Sequence, residues 1–243
     1  MKRKFQIFRG NKDGGEYKNY EVEVEEGMVV LDAVHQVQLE HSSDLAVRWN
    51  CKAGKCGSCS AEVNGKPVLM CMTRLSSLPE DSPVTIAPMK AFPLVRDLVT
   101  DVSWNYEQNK KIPPFTPAKD TVWKMDQRDV DRVQEFRKCI ECFLCQDVCH
   151  VLRTHKAHEE FYGPRFFVRT ASLDMHPLDT VDRVELLKKE GGLGLCNITK
   201  CCTEVCPENI EITDNAIIPM KERVADRYYD PIKTFFGNLL KKK

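Results

Sequence analysis

The sequence predicts an α+β chain of two domains, strand-rich over its first hundred residues and helical beyond about residue 123. Three observations carry this: period-two alternation early in the chain, helical periodicity late in it, and a polar, proline-rich stretch between them. At 243 residues the chain is too long for one small module and suits two units of roughly 100 to 150 residues. The expected bounds are 1–104 for the first domain, 105–122 for a linker and 123–243 for the second.

Residues 4–9 and 20–25 alternate in character as half-buried strands do. Between 28 and 39 the period changes, because Val30, Ala33, Val34 and Val37 share one helical face. Residues 60–63 and 68–71 flank Asn64-Gly65, a pair suited to the positive φ angles of a two-residue hairpin turn. Residues 84–87 supply a closing strand, which completes a small mixed sheet on one helix. Pro113, Pro114 and Pro117 mark the linker. Beyond it, Val130, Val133 and Phe136 give residues 126–138 a helical stripe, and further helices are expected at about 164–173, 180–190 and 214–227. Pro164 suits the first turn of its helix, whereas Pro219 should kink the last one or delay its start.

Lys plus Arg equals Asp plus Glu at 36 each, so no net field draws the chain to nucleic acid, and none is expected as a partner. Met1 to Lys4 is basic, but only Phe5 to Phe8 separate it from Arg9, too short for an apolar signal segment, which argues against export by the general secretory route. No apolar run approaches the roughly 20 residues of a membrane span, so any membrane attachment is expected through a partner.

Twelve cysteines bunch at ligand-like spacings, which reads as metal binding rather than a disulfide framework. Cys51, Cys56 and Cys59, with Cys71 twelve residues further on, give the C-x4-C-x2-C…C spacing of a plant-type 2Fe-2S ferredoxin loop. A β-grasp ferredoxin domain is therefore expected in the first half. Soft thiolates suit iron that changes valence, and Gly54 and Gly57 let the backbone wrap close and aim N–H groups at sulfide. A four-cysteine zinc site is the competing reading, though zinc knuckles favour paired C-x2-C units.

In the second half Cys139, Cys142, Cys145 and Cys149 form C-x2-C-x2-C-x3-C, the run of a bacterial two-cluster ferredoxin, with His150 where proline is usual. An incomplete echo follows. Aligning Cys206-Pro207 with the end of such a run puts Cys196, Thr199 and Cys202 at its first three ligand positions. In two-cluster ferredoxins the fourth cysteine of each run ligates the other cluster. Cys139, Cys142, Cys145 and Cys206 would then hold a 4Fe-4S cluster. Cys149, Cys196 and Cys202 would hold a second one lacking a thiolate at the Thr199 corner, as a 3Fe-4S cluster does. The alternative is that Thr199 is a small packing residue and Cys201 supplies the missing ligand.

The order of these motifs, with Arg48-Trp49-Asn50-Cys51, Met70-Cys71 and the stretch from Cys202 to Pro207, resembles the iron-sulfur subunits of succinate dehydrogenases and fumarate reductases over nearly the whole chain. The stretch from Cys196 to Glu208 is similar to bacterial members that use menaquinone. The resemblance implies electron transfer through 2Fe-2S, 4Fe-4S and 3Fe-4S clusters in that order, with no substrate chemistry on this chain. It implies a flavoprotein partner with covalent FAD that interconverts succinate and fumarate. It also implies a membrane-anchor cytochrome b subunit, often with haem b, which completes a quinone site, and a place on the cytoplasmic face of the bacterial membrane. Succinate oxidation with menaquinone is the expected direction; fumarate reduction, or service to another flavin oxidoreductase, stays open.

One departure bears on quinone. Many members have a tryptophan shortly after the Cys149 position and a histidine directly after the Cys196 position, whereas here residues 150–154 hold no tryptophan and Asn197 follows Cys196. His150, Asn197 and Thr199 are the candidate residues near the third cluster and quinone. His150 stands as a hydrogen-bond donor to quinone or sulfide, or as a packing histidine. His155 and His158 read as solvated helix residues. Arg165, Arg169, Phe161, Phe166 and Phe167 read as packing or anchor-facing residues. The apolar-then-basic segment 235–243 reads as a solvated or lipid-facing tail.

Overall fold

In a computed structural model that describes residues 2–230, the strand-rich half is a seven-stranded mixed sheet with one long helix against it. Lys2–Asn11 (β1) and Gly14–Glu23 (β2) pair antiparallel along ten residues. Phe5 and Ile7 alternate inward from β1, Val22 joins them from β2, and all three are fully buried. Val30–Glu40 (α1) buries Val30, Leu31, Ala33, Val34 and Val37, and the Val29 N–H is capped by the Asp32 carboxylate at 3.1 Å. Ser60–Val63 (β3) and Lys66–Leu69 (β4) make the hairpin, with Asn64 and Gly65 both at positive φ. Because the two-residue turn sets Val63 opposite Lys66, β4 starts two residues before the expected strand, and Cys71 falls just past its end. Val84–Ala87 (β5) closes the sheet, parallel to β1.

Leu94–Arg96 (β6) and Val99–Thr100 (β7) add an edge that hydrophobic alternation did not announce, since both are too short to show a period. A buried carboxylate holds the edge instead: Asp97 accepts the Gly10 N–H at 2.9 Å and the Ala46 N–H at 2.8 Å and pairs with Arg9 at 3.1 Å.

The expected linker, 105–122, begins inside a helix, Ser103–Lys110 (α2), which buries Asn105 and Gln108. The polar stretch is helical because those two side chains reach inward; Asn105 Oδ1 accepts a bond from Gln146 at 2.8 Å. Gln127–Arg137 (α3) matches its hydrophobic stripe. Leu144–Val148 (α4) and His150–Arg153 (α5) follow between and after the cysteines, too short to be read from periodicity. Gly163–Asp174 (α6) carries Phe166 and Phe167 into the second core, with Phe161 just ahead of it. Arg165 is buried and Arg169 exposed.

Val184–Lys189 (α7) is shorter than the helix expected over 180–190. Its leading residues are claimed by the proline segment: Thr180 N–H and hydroxyl both donate to the Thr116 carbonyl, and the fully buried Arg183 donates to Pro113 and Pro114 carbonyls. Cys201–Glu204 (α8) is a single turn. Ile212–Ile217 is a π-helical turn that runs into Ile218–Tyr228 (α9), with Pro219 in the first turn of α9. Proline has no N–H and its ring clashes with the carbonyl four residues back, so the wider turn precedes it.

His155 and His158 lie in turns beyond α5, not on a helix, and His158 packs edge-on against Trp104 with ring centroids 4.8 Å apart. The expectation for segment 235–243 lies outside the described residues. Among the described residues no helix is long and apolar enough to cross a membrane.

The two halves interlock. Met89, Ala91 and Phe92 leave the sheet to join the second core, while Cys142 and Leu144 from the helical half sit in the first. A buried charge cluster clamps the junction. Glu62 on β3 pairs with Arg153 at 2.5 Å and Lys90 at 3.0 Å, and Asp147 on α4 accepts the Ala91 N–H at 2.9 Å. Burial pushes the Asp147 carboxyl up to about 7, and the nearby Glu62 carboxylate adds to the shift against the Ala91 N–H and Arg153.

The fold thus retains a proton on Asp147 that the unfolded chain loses near pH 4, and this contribution to stability falls as pH rises towards 7. Arg153→Met leaves Glu62 and Asp147 without their shared cation and is expected to cost about 3 kcal/mol. The loss should be larger at pH 8 than at pH 6, where Asp147 is neutral, as read by urea melts of the purified protein at both pH values.

Candidate metal centres

Three groups of thiols form along the chain. In the first, Cys51 is exposed, Cys56 half-buried, and Cys59 and Cys71 buried. The loop wraps tightly because Lys52, Gly54 and Gly57 all take positive φ. Two N–H groups, those of Ala53 and Lys55, donate to Cys51 Sγ at 3.4 Å each. A Cβ on Gly54 would stand 2.9 Å from the Met72 side chain, and one on Gly57 would stand 2.6 Å from Cys142 Cα. Glycine at 57 is therefore demanded twice, by its φ of 68° and by the approach of the helical half. Ser60 Oγ donates to the Cys142 carbonyl at 2.8 Å across the same gap.

Ionisation differs sharply within this group. Burial resists the Cys56 thiolate, but hydrogen bonds from Ser58 and Cys51 outweigh it and bring the thiol down to about 6. Burial pushes Cys59 up to about 12, and the neighbouring Cys71 and Cys56 sulfurs add to it.

The second group rings a cavity walled by Cys139, Cys142, Cys145 and Cys206. These are the four thiols that the crossed-run reading brings together, and Cys206 arrives from 57 residues after Cys149 in the sequence. Arg165 adds a buried cation at the wall, held by Asn109 at 2.6 Å and by an ion pair to Glu141. The Ile210 N–H donates to Cys206 Sγ at 3.4 Å. Burial pushes Cys142 up to about 12 and Cys145 well above the usual thiol range.

The third cavity is walled by Cys149, Cys196 and Cys202, with His150, Asn197, Thr199 and Cys201 at its mouth. Burial pushes Cys149 and Cys202 up to about 11 each. Thr199 Oγ1 lies 3.2 Å from His150 Nε2 and 3.3 Å from Cys201 Sγ, so the three side chains form one exposed polar line. The three residues suggested near quinone thus meet at one opening.

The backbone carries the echo that the sequence showed only in part. Glu141 and Phe143 flank Cys142 at φ 56° and 60°; Ile198 and Lys200 flank Thr199 at φ 61° and 62°. Phe143 leads into α4 and Lys200 into α8, each from the left-handed region. Alternating left-handed residues turn successive N–H groups inward, a nest that favours anionic sulfur. Thr199 therefore occupies the backbone position of Cys142, and Cys201 the position of Leu144.

Four cysteines line each of the two cavities, and thiols are soft ligands suited to iron. Among the described residues no three His, Cys, Asp or Glu side chains close on a point as ligands of one ion do. The thiols stand around cavities instead, and a multi-iron core is a group that takes its ligands at several corners. Sequence reasoning missed Arg165 as part of a wall, and Thr203 and Thr213 beside Cys202; none belongs to a spacing pattern.

Residues 4–107 match the family described as a 2Fe-2S iron-sulfur cluster binding domain, and residues 135–210 match a 4Fe-4S dicluster domain. A chain in the solved structure of the Mycobacterium smegmatis Sdh1 complex in the apo form is 64% identical, with a TM-score of 0.92, over 95% of this chain and 98% of that one. The fumarate reductase iron-sulfur subunit of Mycobacterium tuberculosis is 29% identical over 80% of this chain and 81% of its own length. The succinate dehydrogenase iron-sulfur subunit of Bacillus subtilis is 27% identical over 91% and 90%. Two archaeal relatives are longer, and the chain spans 42% and 39% of them.

Once iron is chelated away, Cys56 should be a thiolate from about pH 6 upward while Cys59 stays protonated up to about pH 12. Iodoacetamide at pH 7 is expected to alkylate Cys56 at least tenfold faster than Cys59, measured by peptide mass spectrometry over time.

Proposed function

The chain belongs to the family of iron-sulfur subunits of succinate dehydrogenases and fumarate reductases, and from that membership we propose that it conducts electrons from succinate to menaquinone. As a subunit of such an oxidoreductase it carries 2Fe-2S and 4Fe-4S cluster domains. In the proposed assignment Cys51, Cys56, Cys59 and Cys71 hold the 2Fe-2S cluster. Cys139, Cys142, Cys145 and Cys206 hold the 4Fe-4S cluster, and Cys149, Cys196 and Cys202 hold a 3Fe-4S cluster. Such clusters supply one-electron storage at successive points; this chain's residues bind, space and insulate them.

One observation carries the reading: the two ferredoxin-like runs exchange their last cysteines, and Thr199 takes the backbone place of Cys142 in the second run. Contact supports the proposed order of the centres. Gly57 of the first loop abuts Cys142 of the second cavity, and Cys145 and Cys149 lie four residues apart across the short α4, about 6 Å along a helix. The polar line His150-Thr199-Cys201 beside the third cavity supports a quinone end there in this reading. The first loop would face a flavoprotein subunit with FAD. The third mouth would face a membrane-anchor cytochrome b subunit, with or without haem b, at the cytoplasmic face of the membrane.

The iron-sulfur assignment predicts a 3Fe-4S paramagnetic resonance signal in the oxidised complex. Thr199→Cys restores a thiol at the vacant corner and is expected to abolish that signal while total iron rises. Retention of the full signal in Thr199→Cys would show that this residue does not mark the missing ligand. The direction is tested by comparing succinate:menaquinone and menaquinol:fumarate rates on the same preparation, with succinate oxidation expected to be faster.

His150→Ala is expected to lower succinate:menaquinone activity tenfold or more, a modest share of what a positioned proton donor contributes, with succinate-to-dye activity unchanged. Equal quinone rates in variant and parent would leave His150 a packing residue.

A further inference from the structure

Thr213 is buried to 1% exposure against the third cavity, and its hydroxyl lies 3.4 Å from Cys202 Sγ. The direction of that contact follows from the groups around it. Thr213 N–H donates to Thr203 Oγ1 at 3.0 Å, so the Thr203 hydroxyl has its own proton free to give. That proton goes to Thr213 Oγ1 at 3.2 Å. Thr213 Oγ1 then accepts, and its remaining proton is left for the sulfur of Cys202. An iron-bound thiolate has no proton to return, so the relay runs one way, from Thr203 through Thr213 to Cys202.

The placement is specific to this cavity. Thr213 stands in the π-helical turn Ile212–Ile217, just ahead of α9, and bonds to Thr203 on α8. Among the described residues the corresponding sulfur of the first run, Cys145, meets no hydroxyl, and Cys206 beside the same cavity receives the Ile210 N–H. We propose that Thr213, oriented by Thr203, is the positioning residue that raises the reduction potential of the third cluster by donating a hydrogen bond to Cys202. The inference rests on the assignment of Cys202 as an iron ligand.

The physical reason is charge. Reduction adds an electron to a core already surrounded by thiolates, and a hydroxyl dipole aimed at sulfur stabilises the added negative charge more than the oxidised state. A more positive third centre draws electrons away from the second and holds them beside the quinone end. Thr203 and Thr213 act through sulfur and touch neither substrate nor quinone.

The test is a redox titration of the assembled complex, following the 3Fe-4S signal in the parent, Thr213→Val, Thr213→Ser and Thr203→Val. Thr213→Val keeps the shape and removes the donor; it is expected to lower the reduction equilibrium constant about tenfold, or 59 mV for one electron. Thr213→Ser returns the hydroxyl and should restore the parent value. Thr203→Val leaves Thr213 in place without its orienting donor, and should shift the midpoint in the same direction by a smaller amount; it also serves if Thr213→Val fails to assemble. The 4Fe-4S midpoint should stay where it is in every variant. A 3Fe-4S midpoint within twofold of the parent in both valine variants overturns the proposal and leaves the cluster assignment standing. A parent complex with no 3Fe-4S signal overturns both.

Discussion

Buried thiols around two adjacent cavities are the constraint on which the helical half depends. Cys142, Cys145, Cys149 and Cys202 are all buried, and burial makes each thiol harder still to ionise than a free one. Such side chains would be awkward core residues with nothing to ligate. Bound iron changes the account, because it drives off the protons and returns the lost solvation as metal-sulfur bonds. Cys206 walls the cavity of the first run, and Cys149 the cavity of the second. This exchange ties α4 to α8 through short helices that would be unstable alone.

The junction between halves obeys the same need for closeness. Gly57 lets the first loop touch the Cys142 backbone, and Ser60 bonds the Cys142 carbonyl. Nearby, two buried carboxylates, Glu62 and Asp147, meet the half-buried Arg153 and the exposed Lys90, a costly way to join two surfaces. What it gains is fixed orientation: each charge finds its partner in one arrangement only. Each core also takes residues from the other half, so packing holds the two halves together.

The third cavity is where the chain departs from a symmetric pair of runs. Ile198 and Lys200 keep the left-handed frame of the complete run, yet the residue they flank is threonine. Cys201 stands beside it with a sulfur 3.3 Å from Thr199 Oγ1. The backbone equivalence assigns Cys201 to the place of the core residue Leu144, not to a ligand place. Asn197 and His150 line the same cavity, which gives it polar groups beside its thiols.

By itself the sequence determined the elements whose signals are local: the Asn64-Gly65 turn, the stripes of α1 and α3, the cysteine spacings, and the crossing of runs that brought Cys206 to the wall beside Cys139. It did not reveal α4, α5 and α8, because helices of four or five residues have no period to detect. It overextended the linker and α7, because the burial of Asn105, Gln108 and Arg183 comes from packing that local composition does not carry. Only the tertiary structure decided that Thr199 shares the backbone frame of Cys142 and that Thr213 reaches Cys202. Contacts of that kind join segments whose separation follows no repeat, and are fixed by how helices pack rather than by which residues stand next to one another.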